Sequence, residues 1–184
     1  GIVPATPLLT ISVADSRVWC KCDSLQPVGA FKLRGAWHRL TALSEAERAG
    51  GVVAFSSGNH AQGIAWAANR LGIDATIVMP SDAPELKVAG TRALGAEIIF
   101  YDRMTQSREE IAAHLALEQG AVLVPSFDDP WIIEGQASAG IEALEQLAEM
   151  GEGAPDLIVT PCGGGGLAAG LALAAPGAEI VTVE

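Results

Sequence analysis

A chain of 184 residues suffices for one domain or two small ones, and with 49% hydrophobic but only 5% aromatic residues its core must be built of Ala, Val, Ile and Leu. The formal net charge of −11 disfavours nucleic acid and anionic membranes as partners, while leaving room for a local basic site that binds a phosphate. No apolar run is long enough to span a bilayer and no signal peptide is visible.

Taken in order, Gly1 to Thr10 is Pro-rich and reads as extended, and Val18 to Asp23 reads as a strand. Cys20 and Cys22 lie two apart on that strand, poorly placed to bridge each other. With Cys162 they read as free thiols of a reducing cytoplasm, and no CxxC pair or nearby histidine suggests zinc. Asp23 to Gly29 is a loop, Phe31 to Leu43 is helical in character, and Ser44 to Gly51 is a polar stretch ending in two glycines. A regular alternation then begins. Strands are expected at Val52 to Phe55, Ala75 to Met79, Ala96 to Tyr101 and Ala121 to Pro125. Between them fall helices at Asn59 to Leu71, Ala83 to Leu94 and Ser107 to Gln119, closed by Gly72, Gly95 and Gly120 as helix stops. Apolar strands alternating with helices mean an α/β fold with a parallel sheet. Ser126 to Pro130 is a turn, and Trp131 to Met150 a long helix that Gly135 and Gly140 should weaken. After a glycine-rich turn come a strand at Leu157 to Val159 ended by Pro161, four glycines, a helix at Leu167 to Ala175 and a last strand at Ile180 to Val183. No internal repeat exceeds one βα unit. Glu179 to Glu184 has the character of a core strand, so a truncated chain is expected.

Three stretches could carry chemistry. In the first, Gly163 to Gly166 stand between a strand and a helix. Glycines let a ligand approach the backbone, and the helix start offers unpaired N–H groups and partial positive charge, so together they form a phosphate cradle. An ordinary flexible turn is the plainer alternative. The loop is not a Walker-type loop, because Leu167 and Ala168 stand where Lys and Ser/Thr would be. A dinucleotide fingerprint is met only trivially, by Gly163, Gly165 and Ala168 with Glu184 about 20 residues on, which leaves a nicotinamide reading open on this loop alone. In the second, Ser56 to Gly63, SSGNHAQG, polar side chains and N–H groups at a helix start suit a carboxylate or phenolate; simple helix capping is the alternative. In the third, Lys32 follows Phe31 at a helix start. The helix dipole and the apolar neighbour would lower the amine's pKa and favour a nucleophile, against the plainer reading of a solvated lysine.

Together these stretches resemble the fold-type II pyridoxal-phosphate enzymes, in particular the serine/threonine dehydratase and serine racemase group of the tryptophan synthase beta-like superfamily. The likeness runs from Thr6-Pro7-Leu8-Leu9 to Val183-Glu184 and rests on LQPVGAFKLRGA, SSGNHAQG, ATIVMP with DAPELKV, and PCGGGGLAAG, in matching order. It decides against the nicotinamide reading. The resemblance implies pyridoxal phosphate as cofactor, held by Lys32 as a Schiff base beside Phe31. Asn59 would face its 3-hydroxyl, and Gly163, Gly164, Gly165, Gly166 and Leu167 its phosphate. Ser57, Asn59 and His60 lie in the stretch that takes the substrate carboxylate. It further implies two open, mostly parallel α/β sheets with helices on both faces. Residues 51–125 would form a small domain, and residues 1–50 with 126–184 a discontinuous large domain whose C-terminal part is missing.

The implied reaction is dehydration of a β-hydroxy amino acid such as threonine or serine. Lys32 takes the α-proton, and loss of the β-hydroxyl leads to a 2-oxo acid and ammonia. Ser57 stands where serine racemases carry a second acid/base, so racemisation is the alternative. A third reading is an inactive fragment that binds cofactor or a partner chain. A small amino-acid substrate, a cytoplasmic location and a homodimer are carried over with the resemblance. Metal ligands of racemase-type members would lie beyond Glu184, so none is assigned. The chain departs from the family pattern in the short Thr10 to Arg17 segment, in Val28 and Ala30, and in Gln136-Ala137-Ser138.

Overall fold

The computed structural model describes residues 2–184. The chain begins with an antiparallel hairpin of β1 (Leu8–Val13) and β2 (Ser16–Lys21), registered from Leu8 opposite Lys21 to Val13 opposite Ser16. The turn residues Ala14 and Asp15 both take positive φ, 43° and 47°, as a two-residue hairpin turn requires. The sequence reading missed β1 and set β2 two residues late, so that Cys22 falls outside the strand. The hairpin buries little beyond Leu8: its alternating Leu9, Ile11 and Val13 form an apolar face that stays exposed, and its turn lacks the usual glycine.

Helix α1 (Lys32–Thr41) buries Leu33, Ala36 and Leu40 completely. Helix α2 (Glu45–Gly50) occupies the segment read as merely polar. Ser44 and Glu47 form a reciprocal capping box: the Ser44 hydroxyl accepts from the Glu47 N–H, and the Glu47 carboxylate accepts from the Ser44 N–H at 2.8 Å.

The alternating segment folds as expected. Strands β3 (Val52–Phe55), β4 (Ala75–Pro80), β5 (Glu97–Tyr101) and β6 (Val122–Leu123) make one parallel sheet in the order β5-β4-β3-β6. Between them run α3 (Asn59–Leu71), α4 (Glu85–Ala93) and α5 (Arg108–Gln119). Gly72 and Gly120 are left-handed, at φ 66° and 65°, and close α3 and α5. α4 starts two residues later than expected because Pro84 takes the cap position. β6 is shorter than expected, although the Val124 N–H still reaches the Val53 carbonyl at 2.8 Å. Val52 and Ala54 face a core shared with α1 and α3, whereas Val53 and Val78 face α5 through Ala112 and Ala116. Helices therefore cover both faces of an open parallel sheet.

Helix α6 (Pro130–Glu149) is capped by Asp129, whose carboxylate accepts from the Ile132 N–H at 2.9 Å, with Pro130 at the first position. Strands β7 (Leu157–Pro161) and β8 (Glu179–Val183) pair in parallel around α7 (Gly166–Ala174). The glycines expected to weaken α6 have a packing role instead. A Cβ on Gly135 would lie 2.6 Å from the Cα of Gly35 and 2.8 Å from the Arg34 carbonyl, so α1 and α6 cross in backbone contact. A Cβ on Gly140 would lie 2.7 Å from the Cβ of Ala174, which sets the approach of α7.

Candidate active site

Lys32 is the first residue of α1 and Phe31 its cap. The Lys32 ammonium donates to the Ser126 carbonyl at 2.5 Å and lies 5.3 Å from the centre of the Phe31 ring. Burial lowers the pKa of this amine. The sequence reading expected the same direction from the helix dipole and the apolar Phe31; the cause in the structure is desolvation.

Two residues on, Arg34 is almost fully buried and ties α1 to its surroundings. Its guanidinium donates to both carboxylate oxygens of Asp23 at 2.8 Å and to both of Glu142 on α6 at 3.0 and 3.1 Å. Lys21 also donates to Glu142, and to Gln146 and the Thr6 carbonyl at 2.6 and 2.7 Å. Burial alone would raise the Glu142 carboxyl, but the hydrogen bonds from Arg34, Lys21 and the Thr6 N–H outweigh it and hold it at about 2.

The glycine loop meets Lys32 through the run Ser126–Phe127. Ser126 accepts from Lys32, and the neighbouring Phe127 ring packs on the loop so closely that a Cβ on Gly164 would lie 2.2 Å from it. A Cβ on Gly166 would lie 3.1 Å from the Phe127 Cα. Gly165 has φ +83°, which asks for glycine on conformational grounds. A Cβ on Gly163 would meet nothing within 4 Å, so that side of the loop is open to a ligand. The Ala169 N–H to Gly165 carbonyl bond, 2.9 Å, opens the helical ladder, so the N–H groups of Gly166, Leu167 and Ala168 have no intrahelical acceptor. Such a helix start binds anions.

The SSGNH stretch forms the second helix start. Gly58 caps α3 without any side-chain bond to the helix, so the serines and Asn59 are not spent on capping. Ser56 accepts from the Gly58 N–H at 3.1 Å within the loop, and the half-buried Ser57 hydroxyl makes no hydrogen bond among the described residues. The Asn59 side-chain carbonyl accepts from Lys87 of α4 at 3.2 Å. His60 is turned inward: its ring Nε2 lies 3.1 Å from the Val124 carbonyl, which requires the N–H there. Burial, reinforced by the charge of nearby Lys32, depresses its pKa to about 4, so the ring is neutral and already occupied. The ring of His60 therefore offers no free N–H for a substrate, only its backbone amide at the start of α3.

The structure thus gathers Phe31, Lys32, His60 and the glycine loop around residues 124–127, a run the sequence reading took for a strand end and a turn. Phe127 and Lys87 were missed. Phe127 lies outside the motifs that carry the resemblance, and Lys87, although within DAPELKV, has no spacing there that reports on Asn59. Two surface clefts of about 230 and 260 Å³, one near Asn69 and Gly95 and the other near Leu144 and Pro176, include none of these residues. Among the described residues no group of three His, Cys, Asp or Glu side chains is arranged to hold a metal, and no helix is long and apolar enough to cross a membrane.

Residues 2–181 match the family model described as "pyridoxal-phosphate dependent enzyme". The chain belongs to this family. It is 48% identical to an L-threo-3-hydroxyaspartate ammonia-lyase of a Pseudomonas species, over 95% of this chain and 54% of that protein. It is 44% identical to the serine racemase of Schizosaccharomyces pombe, over 97% of this chain and 56% of that one. The structure of maize serine racemase superposes with a TM-score of 0.91 at 38% identity, covering 99% of this chain and 56% of that one. The chain spans about half the length of the curated relatives it matches.

Proposed function

We propose that this chain is the cofactor-lysine and phosphate-loop portion of an ammonia-lyase that removes water and then ammonia from a β-hydroxy amino acid such as threonine or serine. One observation carries the reading: a desolvated lysine and an open glycine loop with three unspent N–H groups meet on the same short run, Ser126–Phe127. That donor set fits pyridoxal phosphate, which presents an aldehyde to an amine and a phosphate to a helix start. When bound, the cofactor supplies an electron sink for negative charge developing at a substrate α-carbon.

The chain's own residues divide the remaining work. Gly163, Gly164, Gly165, Gly166 and Leu167 hold the phosphate through backbone N–H groups. Phe31 would lie beside the cofactor ring, and the Asn59 amide would face its 3-hydroxyl oxygen. Lys32 would hold the cofactor and would then take the α-proton at Nζ; its burial keeps a larger neutral fraction near neutral pH. Ser57, Asn59 and the backbone of His60 receive the substrate carboxylate at the start of α3, where the dipole favours an anion. Residues 51–125 form the smaller domain, and 1–50 with 126–184 belong to the larger. A cytoplasmic homodimer is the expected setting.

Amino-acid racemisation is the second reading. It is favoured by the unpartnered, half-buried Ser57 hydroxyl, which is free to act as a second acid/base, and by the serine racemase relatives. The test is a pyridoxal-phosphate titration of the chain and of Lys32→Ala by visible absorbance, followed by borohydride reduction and mass spectrometry. Wild type should become reducibly labelled at Lys32, and the variant should not. Ammonia release and chiral analysis with serine, threonine and 3-hydroxyaspartate then separate lyase from racemase. Equal spectra for wild type and variant would remove Lys32 from its assigned role.

A further inference from the structure

Asn59 opens α3, and Lys87 lies in the first turn of α4. Both helices leave the same edge of the sheet, from the adjacent parallel strands β3 and β4, and so run side by side in one direction. Their register is visible at Gly90 and Gln62: a Cβ on Gly90 would lie 2.6 Å from the Gln62 Nε2, so α4 sits directly against that side chain. Three residues earlier on each helix stand Lys87 and Asn59, joined by the 3.2 Å hydrogen bond.

This contact has a direction. A lysine ammonium has donors only, so Asn59 must turn its carbonyl oxygen to Lys87 and keep its NH₂ group for another acceptor. That NH₂ group makes no hydrogen bond among the described residues. Lys21, Lys32 and Lys87 are the chain's only lysines. Lys21 is spent on Glu142 and Gln146, and Lys32 on Ser126. Lys87 is therefore the one lysine that donates a hydrogen bond to the SSGNH stretch, while Lys32 reaches it only through its charge at His60. An exposed contact of this kind adds little to folding stability, so the fold itself gives no reason for it.

We propose that Lys87 is a positioning residue for Asn59, fixing its carboxamide with the NH₂ group toward the ring oxygen of the cofactor and adding a positive charge that favours the ionised form of that oxygen. This rests on the reading of Asn59 as the residue that faces the 3-hydroxyl. A misoriented amide would present its own oxygen to the ring oxygen, which repels the ionised form and favours the protonated one.

The test is a pyridoxal-phosphate titration across pH of wild type, Lys87→Met, Lys87→Arg, Asn59→Ala and the Lys87→Met/Asn59→Ala double variant. It reads the dissociation constant and the ratio of the absorbance bands of the ionised and neutral ring oxygen. Thermal unfolding without cofactor serves as the stability control. Lys87→Met should weaken binding about fivefold. It should also raise the apparent pKa of the ring oxygen by roughly half a unit. Lys87→Arg should restore both values, Lys87→Met should add nothing once Asn59 is alanine, and the unfolding midpoints should coincide. If Lys87→Met matches wild type while Asn59→Ala does not, Lys87 has no positioning role although Asn59 keeps its place. If Lys87→Met retains its full effect in the Asn59→Ala background, Lys87 acts by another route and the proposal fails. A wild-type chain that binds no pyridoxal phosphate overturns the parent reading and this one with it.

Discussion

The buried charge cluster that ties α1 to α6 makes a quantitative prediction for Glu142→Gln. The substitution keeps the shape but removes the charge that Arg34 and Lys21 share, leaving Arg34 with Asp23 alone. The Glu142 carboxyl falls from its ordinary 4.5 to about 2, which sets a ceiling of about 3 kcal/mol on its contribution. A fifth of the side chain is exposed, and screening brings the expected loss to roughly 2 kcal/mol at pH 7. Because the folded pKa is depressed, this stability is fully present above about 4.5 and is lost as pH falls toward 2. By pH 3 the difference between wild type and variant should shrink to roughly two fifths of its value at pH 7. Urea denaturation of both proteins at pH 7, 5, 4 and 3 measures this directly. A difference that stays constant with pH, or grows on acidification, would show that the charge of Glu142 is not what stabilises the junction.

Two further predictions concern the site itself. Gly164→Ala places a Cβ within the Phe127 ring and should destabilise the chain by about 1–3 kcal/mol, whereas Gly163→Ala points into open space and should leave the urea midpoint unchanged. Gly163→Ala should nevertheless weaken pyridoxal-phosphate binding about tenfold by crowding the phosphate side of the loop; the reverse ranking of the two variants in stability would refute the assignment. His60 has a depressed pKa, so the unfolded chain takes up its proton first as pH falls. Wild type should then lose up to about 3 kcal/mol between pH 6.5 and 4 through this group, and His60→Gln should lack that part of the acid slope in urea denaturation at matched pH. Identical slopes would mean that the ring is not buried in its neutral form.

What could be read from the sequence follows from the range of the forces involved. The parallel sheet was legible because Val52–Phe55 and Ala75–Pro80 are buried on both faces, and because glycines close the intervening helices. The glycine loop was legible because four consecutive glycines between strand and helix have few uses. β1 was passed over although Leu9, Ile11 and Val13 alternate with Thr10 and Ser12, because it follows directly on a Pro-rich run and its apolar face stays exposed and joins no core. α2 carries its signal in Ser44 and Glu47, but at six residues it lacks an apolar face to support it. Gly135 and Gly140 looked like weak points of α6 because propensity is local, whereas their reason is the crossing of α1 and α7. The inward turn of His60 depends on Val124, 64 residues away, and the orientation of Asn59 on Lys87, 28 residues away.

The same distinction explains why residues 124–127 looked unremarkable although three candidate groups converge there. His60 is held by the Val124 carbonyl and Lys32 by the Ser126 carbonyl, and backbone atoms carry no sequence signature. Only Phe127 acts through its side chain, and it acts on glycines, whose own motif is read as serving the ligand. In Gly163 to Gly166 two demands are therefore superimposed. Gly164 and Gly166 make room for Phe127, and so bring the loop to the segment that carries the Ser126 carbonyl. Gly165 supplies the left-handed turn, and Gly163, free of both that backbone demand and the Phe127 contact, is left open toward a ligand. A run of four glycines here is the meeting of a packing constraint at Gly164 and Gly166, a backbone constraint at Gly165 and a binding constraint at Gly163, so substitutions along it would fail for three different physical reasons.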